Sequence, residues 1–596
     1  MLTKLAMTGF KNRWRDYLVL FSGLIMSSAI FYMFEALATN KQFLSSNSGI
    51  SLAGQIFQFG SVLLTIITLV YISYANSFLL SMRKRDYGLF MLVGARKSKI
   101  GQLIWLETLL VGITATIVGI ALGTILTVGV SKLLVSSLGL TLHHFAAWYT
   151  PAASTTLLLY VGLFLLAGFF NLIALTKTPA LKLLHSNDQP NRPRLKPFRQ
   201  LVEVIIGLIS IAIGYWAMSD LKNLQMAGIG IALVTIVIGT YLLFNAIFVW
   251  LVVLLKQFNF AHRGLNGFTL SQLSFRIRNY TKILSIVAML FALALGAITV
   301  GMGFHRQVPL MANSSNAYDM GIVNATTAQK KQIAKLNPTN QANYHFKVGK
   351  KVVYYRASEF NQHPFTTMDQ KSKNQIDSVA KQNNAKQLAK SMTSYQLSQL
   401  QASANQNMSQ VFLSDAAYAK ITSKQSTLTI FATKDVAKHM NALKHLAASQ
   451  QRRDKGLTES MLGGRYGNYI IVNGMYSGLE FMGFFLGVAF LAMLASCLMF
   501  KILSGAAADR NRYKMLNKIG TRQSQLRAAI RKEIAVLFIL PGIVGVIHVL
   551  FGLKMFTFIM VGSPYTGIWL PFLIFAALYV IYYLITVSIY RRIVLE

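Results

Sequence analysis

Arg83-Lys84-Arg85-Asp86-Tyr87-Gly88-Leu89-Phe90-Met91-Leu92-Val93-Gly94-Ala95-Arg96-Lys97-Ser98-Lys99-Ile100 lies between two long apolar runs. It reads as a short amphipathic helix, a stop at Gly94, and a second basic turn that feeds the next apolar run. Gly94 suits the left-handed residue that closes many helices, because it has no Cβ to clash. The pattern returns as Asp509-Arg510-Asn511-Arg512-Tyr513-Lys514-Met515-Leu516-Asn517-Lys518-Ile519-Gly520-Thr521-Arg522-Gln523-Ser524. Without gaps, Tyr87 aligns with Tyr513, Gly94 with Gly520, Arg96 with Arg522 and Ser98 with Ser524; further on, Glu107 aligns with Glu533. Two basic elbows at one fixed spacing from a carboxylate imply duplicated docking points for a partner.

The rest of the composition says what surrounds the elbows. Of 596 residues, 54% are hydrophobic and only 13% are charged, where a soluble domain carries about 25% charged residues. Mean hydropathy is +0.47. Apolar runs of about 18 residues or more recur, which marks a polytopic membrane protein. The net charge of +39 invites a nucleic-acid reading. Lys and Arg gather instead in short loops between apolar spans, as the positive-inside rule requires, so no nucleic-acid partner is expected. The single Cys497 lies inside an apolar run. It has no partner for a disulfide or a thiolate metal site and is read as packing.

Ten spans are drawn at roughly 17–37, 55–80, 103–136, 152–175, 201–219, 226–255, 281–304, 474–502, 532–555 and 568–590. The first resembles a signal peptide, but the run from Tyr17 to Phe34 is longer than the usual apolar region of a leader. Arg13-Trp14-Arg15-Asp16-Tyr17 also has an internal counterpart, Arg276-Ile277-Arg278-Asn279-Tyr280, before another apolar run. The expectation is a retained first helix. Both elbows, the stretch from Lys177 to Arg199, the stretch from Lys256 to Lys282, and Arg591-Arg592 all fall on one side. Both termini are therefore expected in the cytoplasm.

One segment on the other side is large. It is rich in Gln, Asn, Ser, Lys and Ala, with β-leaning runs at Ile322–Val323, Tyr344–Tyr355, Leu428–Phe431 and Tyr469–Val472. Helical stretches are expected between them, at Lys371–Leu400 and Asp435–Gln450, making a small α+β extracytoplasmic domain. From Arg306 to Arg465 there are 22 Lys and Arg against 8 carboxylates. Such a field repels cationic peptides and draws anionic lipid headgroups and pyrophosphate-bearing wall precursors. Lys347, Lys350, Lys351 and Arg356 flank one β-leaning run that could present them together as a contact for lipid or a peptide–lipid complex. The plainer reading is that the charge keeps the domain soluble or attaches it to acidic lipid.

Spans one to three and seven to nine repeat one order: basic lead-in, helix, outer segment, long helix, elbow, Glu-marked helix. The copies begin six spans apart, an even number, so they share topology, unlike the inverted repeats of many secondary carriers. The resulting boundaries are 1–175 for a first core of four spans, 176–280 for a linker with two spans, and 281–303 for the seventh span. The outer domain takes 304–473, and a second core of three spans takes 474–596. Thr176–Leu184 reads as amphipathic and suited to lying along the inner surface.

No catalytic constellation is present. The chain has no G-x-x-x-x-G-K-[ST] phosphate loop, no H-E-x-x-H and no G-x-S-x-G, so it is not expected to be an enzyme. His143-His144 lacks a Cys or carboxylate cluster and is read as an interfacial loop, with no metal site. Carboxylates near the membrane start as functional hypotheses. Glu35 is read as interfacial. Glu107 and Glu533 are expected to pair with the elbows' own Arg or Lys, fixing the angle between elbow and helix; two carboxylates near one surface make no proton path across the bilayer. His548, after Pro541, is expected to satisfy a backbone group freed by the proline, and Asn76 to bond between helices.

Tyr74-Ala75-Asn76-Ser77-Phe78-Leu79-Leu80, followed by the first elbow, resembles the second span and elbow of BceB-type permeases, of the FtsX/MacB-like class of ABC transporters. Gly478-Leu479-Glu480-Phe481-Met482-Gly483-Phe484-Phe485-Leu486-Gly487, and Phe538-Ile539-Leu540-Pro541 through His548, resemble the eighth and ninth spans of the same family. The resemblance implies ten helices, two FtsX-like cores and one large outer domain. It also implies a permease subunit that binds no cofactor itself. A separate cytoplasmic ATPase dimer, holding ATP and Mg, would dock on Arg83, Lys84, Arg85, Tyr87, Gly94 and Arg96 and on Arg512, Tyr513, Gly520 and Arg522. Resistance to, and sensing of, wall-targeting peptides such as bacitracin follows from the likeness, as does a membrane histidine kinase as a further partner. Ser504-Gly505-Ala506-Ala507-Ala508 stands where the family has an acidic stretch, leaving Asp509 alone. Lipoprotein-releasing pumps, hydrolase-activating FtsX-like proteins and secondary carriers are the competing classes.

Overall fold

The computed structural model describes residues 14–40, 48–82, 84–137, 147–176, 197–259, 265–370, 378–389, 391–457, 461–558, 560 and 562–595. Among them, ten helices are long and apolar enough to cross a bilayer. The first seven helical elements are α1 (Trp14–Thr39), α2 (Ser48–Met82), α3 (Lys84–Leu92), α4 (Lys97–Ser137), α5 (Thr150–Thr176), α6 (Pro197–Ser219) and α7 (Leu221–Leu255). The short α3 is the first elbow. Helix α8 (Asn266–Ser315) then leads into the strand-bearing domain. At Gln225 the backbone turns to φ 46°, so α7 is kinked there, one residue before the start that hydropathy gives the sixth span.

The domain alternates β1 (Met320–Val323), α9 (Thr327–Lys335), β2 (Asn340–Val348), β3 (Val352–Arg356), α10 (Ala357–Gln362), β4 (Phe365–Gln370) and β5 (Ser378–Asn383). It continues through α11 (Ala385–Leu388), α12 (Ser391–Ser398), β6 (Ser409–Leu413), α13 (Asp415–Ala419), β7 (Gln425–Ala432) and α14 (Met440–Arg453). The chain returns to the bundle through α15 (Gly464–Ser504), the second elbow α16 (Ala506–Lys518), α17 (Gln523–Gly552) and α18 (Trp569–Leu595).

The five-stranded sheet runs β1-β7-β2-β3-β6, and β4 pairs with β5 in a separate hairpin. All pairs are antiparallel except β3 with β6. Two sequence expectations change here. Tyr469–Val472 has strand-like composition but forms the early turns of α15, because packing overrides weak β propensity: Tyr469 and Val472 lie against the cluster of Phe304, Val308 and Tyr476. Ser378–Asn383, expected within a helical stretch, is strand β5, held in register by β4 from Phe365↔Asn383 to Gln370↔Ser378.

Both helices that carry the domain run beyond their apolar spans as drawn from sequence. α8 passes through Pro309 to Ser315, and α15 starts at Gly464. They cross with backbones close together: a Cβ on Gly483 would lie 2.5 Å from the Ala297 carbonyl oxygen and 3.0 Å from the Gly301 Cα. Small residues at such a crossing replace the hydrophobic drive that lipid cannot supply. The repeat shows in the packing too. A Cβ on Gly119 would meet the Ser28 side chain, and one on Gly545, aligned with it, would meet Phe291.

At its base the domain is stapled. Arg465 donates through Nε to the Asn316 carbonyl (2.9 Å) and through a terminal nitrogen to that of Thr433 (3.2 Å). Asp319 Oδ2 accepts from the Thr433 amide (2.7 Å) and hydroxyl (2.6 Å). Burial pushes the Asp319 carboxyl above its ordinary value, while Thr433 and Arg465 pull it back.

The elbows and the domain lie at opposite ends of α8. Its first turns meet the second elbow through Gln272–Arg512 (3.0 Å) and the foot of α17 through Asn266–Lys532 (3.0 Å), and its last turn leads to β1. Trp148, Trp216 and Trp569 are each more than half exposed. By the alternation of the helices they share the domain end, the interfacial position that indole favours.

Candidate functional site: the paired elbows

Each elbow is a short helix whose ends are fixed by backbone chemistry. In the first, Gly94 has φ +95°, its N–H reaches the Met91 carbonyl (3.2 Å), and the Ala95 N–H reaches that of Phe90 (2.9 Å). In the second, Gly520 has φ +96°, its N–H reaches Asn517 (3.0 Å), and the Thr521 N–H reaches Leu516 (3.1 Å). These are two Schellman motifs of the same register. A Cβ on either glycine would meet nothing within 4 Å, so backbone conformation, rather than crowding, selects glycine.

A buried tie then sets the angle between each elbow and the following helix. The Tyr87 hydroxyl donates to Glu107 (3.4 Å), and the Tyr513 hydroxyl donates to Glu533 (3.1 Å). All four side chains are buried, the carboxylates 5% and 1% exposed. A hydrogen bond to a charged acceptor contributes more than a neutral one, about 1.5–3 kcal/mol. The sequence reading expected a cation in this role; the described donor is the elbow tyrosine.

The outward sides of the elbows carry apolar and basic groups together. In the first, Leu89, Phe90, Leu92 and Val93 are 47%, 40%, 64% and 89% exposed; in the second, Met515 and Ile519 are 64% and 75% exposed. Leu89 aligns with Met515 and Val93 with Ile519, so one apolar pair recurs at matched positions. Arg96 and Arg522 are exposed and sit where α4 and α17 begin, their carbonyls accepting from Ile100 (3.2 Å) and Leu526 (3.2 Å). A cation opposes the helix dipole at that position, and Ser, Thr or Asp would cap better. Local folding therefore does not account for either arginine. Arg83 lies outside the described residues, as do the side chains of Lys84, Arg85 and Asn76.

Further ties are described in the second elbow. Asp509 is buried; its Oδ2 accepts from the Tyr590 hydroxyl of α18 (2.8 Å), and Arg512 lies 3.5 Å from its other oxygen. The one carboxylate kept before this elbow thus holds it to the bundle.

The other residues singled out from sequence fall elsewhere. His548 bonds to side chains of two other helices, through Nδ1 to the Tyr215 hydroxyl (2.6 Å) and through Nε2 to the Thr240 hydroxyl (2.9 Å). Near Pro541 the Tyr579 hydroxyl donates to the Phe538 carbonyl (2.9 Å). His143 and His144 lie outside the described residues. Among the described residues no group of three or more His, Cys, Asp or Glu could hold a metal ion. In the domain, Lys347 donates to the Tyr418 (3.2 Å) and Ile421 (2.6 Å) carbonyls. Arg356 lies 3.6 Å from Asp415 and 3.9 Å from Glu359, over the Tyr418 ring. Lys350 and Lys351 are exposed in the β2–β3 turn. Lys347 lies over the same Tyr418 ring at 4.8 Å, so Lys347 and Arg356 share one aromatic neighbour.

Residues 58–180, which contain the first elbow, Glu107 and the flanking helices, match the family model described as FtsX-like permease C-terminal. The chain carries an FtsX-like permease domain. It is homologous to the bacitracin export permease protein BceB of Bacillus subtilis, 22% identical over 337 residues, covering 55% of this chain and 52% of the relative. The BceB of Halalkalibacterium halodurans is 23% identical over 308 residues, 50% of this chain and 47% of the relative. The chain thus spans about half the length of these two BceB proteins. The ABC transporter permease protein YxdM of Bacillus subtilis is 23% identical over 530 residues, 82% of this chain and 83% of the relative.

Proposed function

We propose that this chain is the permease subunit of an ABC transporter that protects a cell from peptides aimed at its wall. The observation that carries this reading is the duplicated elbow, with its paired Tyr–Glu ties and matched exposed apolar residues. A separate ATPase dimer, holding ATP and Mg, receives one elbow in each subunit. Apolar residues such as Val93 and Ile519 seat in a groove while the surrounding cations meet acidic patches on its rim. The elbow end and both termini face the cytoplasm in this reading, and the strand domain faces outward. The names of the BceB relatives support a peptide of the bacitracin kind, removed from the membrane or from its lipid target. A membrane histidine kinase that reads the transporter's state is a further partner.

Co-expression with the ATPase encoded nearby, followed by pull-down on this chain, tests the reading. Replacing Arg83, Lys84 and Arg85 with Ala, or disrupting Tyr87 or Gly94, should lower ATPase recovery. Recovery unchanged by variants of both elbows would refute the docking.

A further inference from the structure

The cations of the domain are concentrated on a different face from the β2–β3 turn. Helices α9 and α14 lie side by side: Gln329 donates to the Ser449 hydroxyl (3.0 Å), and Arg453 donates to the Gln329 side-chain oxygen (3.1 Å). Both turn their apolar sides inward, with Ile333 on α9 and Leu443, Leu446 and Ala447 on α14 buried. The opposite side exposes Lys330, Lys331, Lys335, Lys444, Arg452 and Arg453. Over residues 324–338 and 434–456 together there are nine Lys and Arg and two carboxylates. The two carboxylates leave the patch with a net charge of +7. Asp435 lies 3.9 Å from Lys438, and Asp454 accepts from the Ser403 amide and hydroxyl at 2.9 and 2.7 Å.

This layer stands where the domain meets the bundle. The core beneath it includes Ala312 and Tyr466, which lie in the last turns of α8 and the first turn of α15, past the apolar spans 281–304 and 474–502 drawn from sequence. The core behind β2, β3 and the β4–β5 hairpin reaches Ala317 and Tyr318, beyond the end of α8. A dense set of cations therefore stands at the bundle end of the domain. Lysine ammonium groups are compact, hydrated charges on flexible stems, suited to a diffuse anionic surface more than to one bidentate ligand. Basic residues beside an acidic leaflet each add to its attraction, within about a Debye length of the surface.

We propose that the α9–α14 face rests on the headgroups of anionic lipids in the leaflet beside the domain. The inference requires that the ten helices span a bilayer and is independent of what an ATPase drives. The contact would hold the domain's orientation over the membrane, leaving the far end of the sheet, around the β2–β3 turn, pointing away from it.

The test uses the full chain in lipid nanodiscs, with a fluorophore on Gln332→Cys of α9 or, as control, on Thr422→Cys in the loop before β7. Nanodiscs contain phosphatidylglycerol or phosphatidylcholine spin-labelled near the headgroup at equal mole fraction. Quenching at Gln332→Cys should be several-fold stronger with the anionic lipid, and this preference should vanish in high salt. It should fall on the order of tenfold when Lys330, Lys331 and Lys335 are all replaced by Glu, and partly with the milder replacement by Gln. The control position should show no preference. Equal quenching by the two lipids would overturn the proposal, as would a preference unchanged in both triple variants. Displacement by inorganic pyrophosphate at constant ionic strength would also overturn it, placing the specificity in a phosphate group instead of a surface. Such failure would leave the elbow pull-down unaffected, because that experiment reads the opposite end of the molecule.

Discussion

In the first elbow, Tyr87 packs into a small separate cluster with Ile100, Leu103 and Ile104, at the foot of α4. Tyr513 of the second elbow belongs instead to the main core that runs through both halves of the bundle. Its ring also meets Phe268 edge-on at 6.0 Å, while Asp509 is bound by Tyr590 and Arg512 reaches Gln272. The hydrogen-bonded turns and Tyr–Glu ties are nearly superposable in kind, yet their anchorage differs. Sequence-local chemistry sets the shape of an elbow, and its neighbours set how firmly that shape is held. Among the described residues the first elbow, with fewer ties to the bundle, also has the larger exposed apolar surface, four residues against two.

If docking follows exposed surface, the two elbows contribute unequally. Phe90→Asp with Val93→Asp should lower ATPase recovery on the order of a thousandfold, since central apolar anchors cost about 2 kcal/mol each. The matching pair Met515→Asp and Ile519→Asp should cost less, roughly tenfold. Equal losses in a titrated pull-down would break the comparison.

Anchorage is tested by hydrogen exchange. Tyr87→Phe removes the donor to a buried carboxylate, and elbow amides from 86 to 93 should exchange roughly tenfold faster. Tyr513→Phe should accelerate its own elbow less, because Asp509 and Arg512 still hold it. A larger effect at the second elbow would show that the extra ties do not stiffen it. A sharper version is Asp509→Asn, expected to cost about 1 kcal/mol locally and to bring exchange at 509–519 toward the level of the first elbow. The smallest effects belong to Gly94→Ala and Gly520→Ala. Both should destabilise their turns by about 1 kcal/mol, and equally, because neither site has a neighbour for the new methyl. An unequal pair, read by the same exchange experiment, would reveal a contact at one turn.

The elbows are legible in the sequence because their signal is local: a basic amphipathic run, a glycine at the stop, and a carboxylate at fixed spacing. Length and hydropathy likewise expose the ten apolar helices. What sequence hides is which side chains meet across a turn or between helices. Among the described contacts Glu107 accepts from Tyr87, a partner that the spacing of the charges does not single out. His548 is claimed by Tyr215 and Thr240, more than three hundred residues away in the chain, and no spacing rule reaches them. In the domain, Lys347 and Arg356 read as free cations beside a strand, but Tyr418, Ile421, Glu359 and Asp415 occupy them. The basic face on α9 and α14 escaped notice because its halves lie about a hundred residues apart and meet only in the fold, through Gln329, Ser449 and Arg453.

Cysteine cross-linking from the elbows tests the central claim most directly. With Val93→Cys or Ile519→Cys in the full chain, a short bifunctional reagent should join each position to the co-expressed ATPase, with the higher yield from Val93→Cys. Absence of any ATPase adduct from both positions, with the complex otherwise intact, would contradict the account.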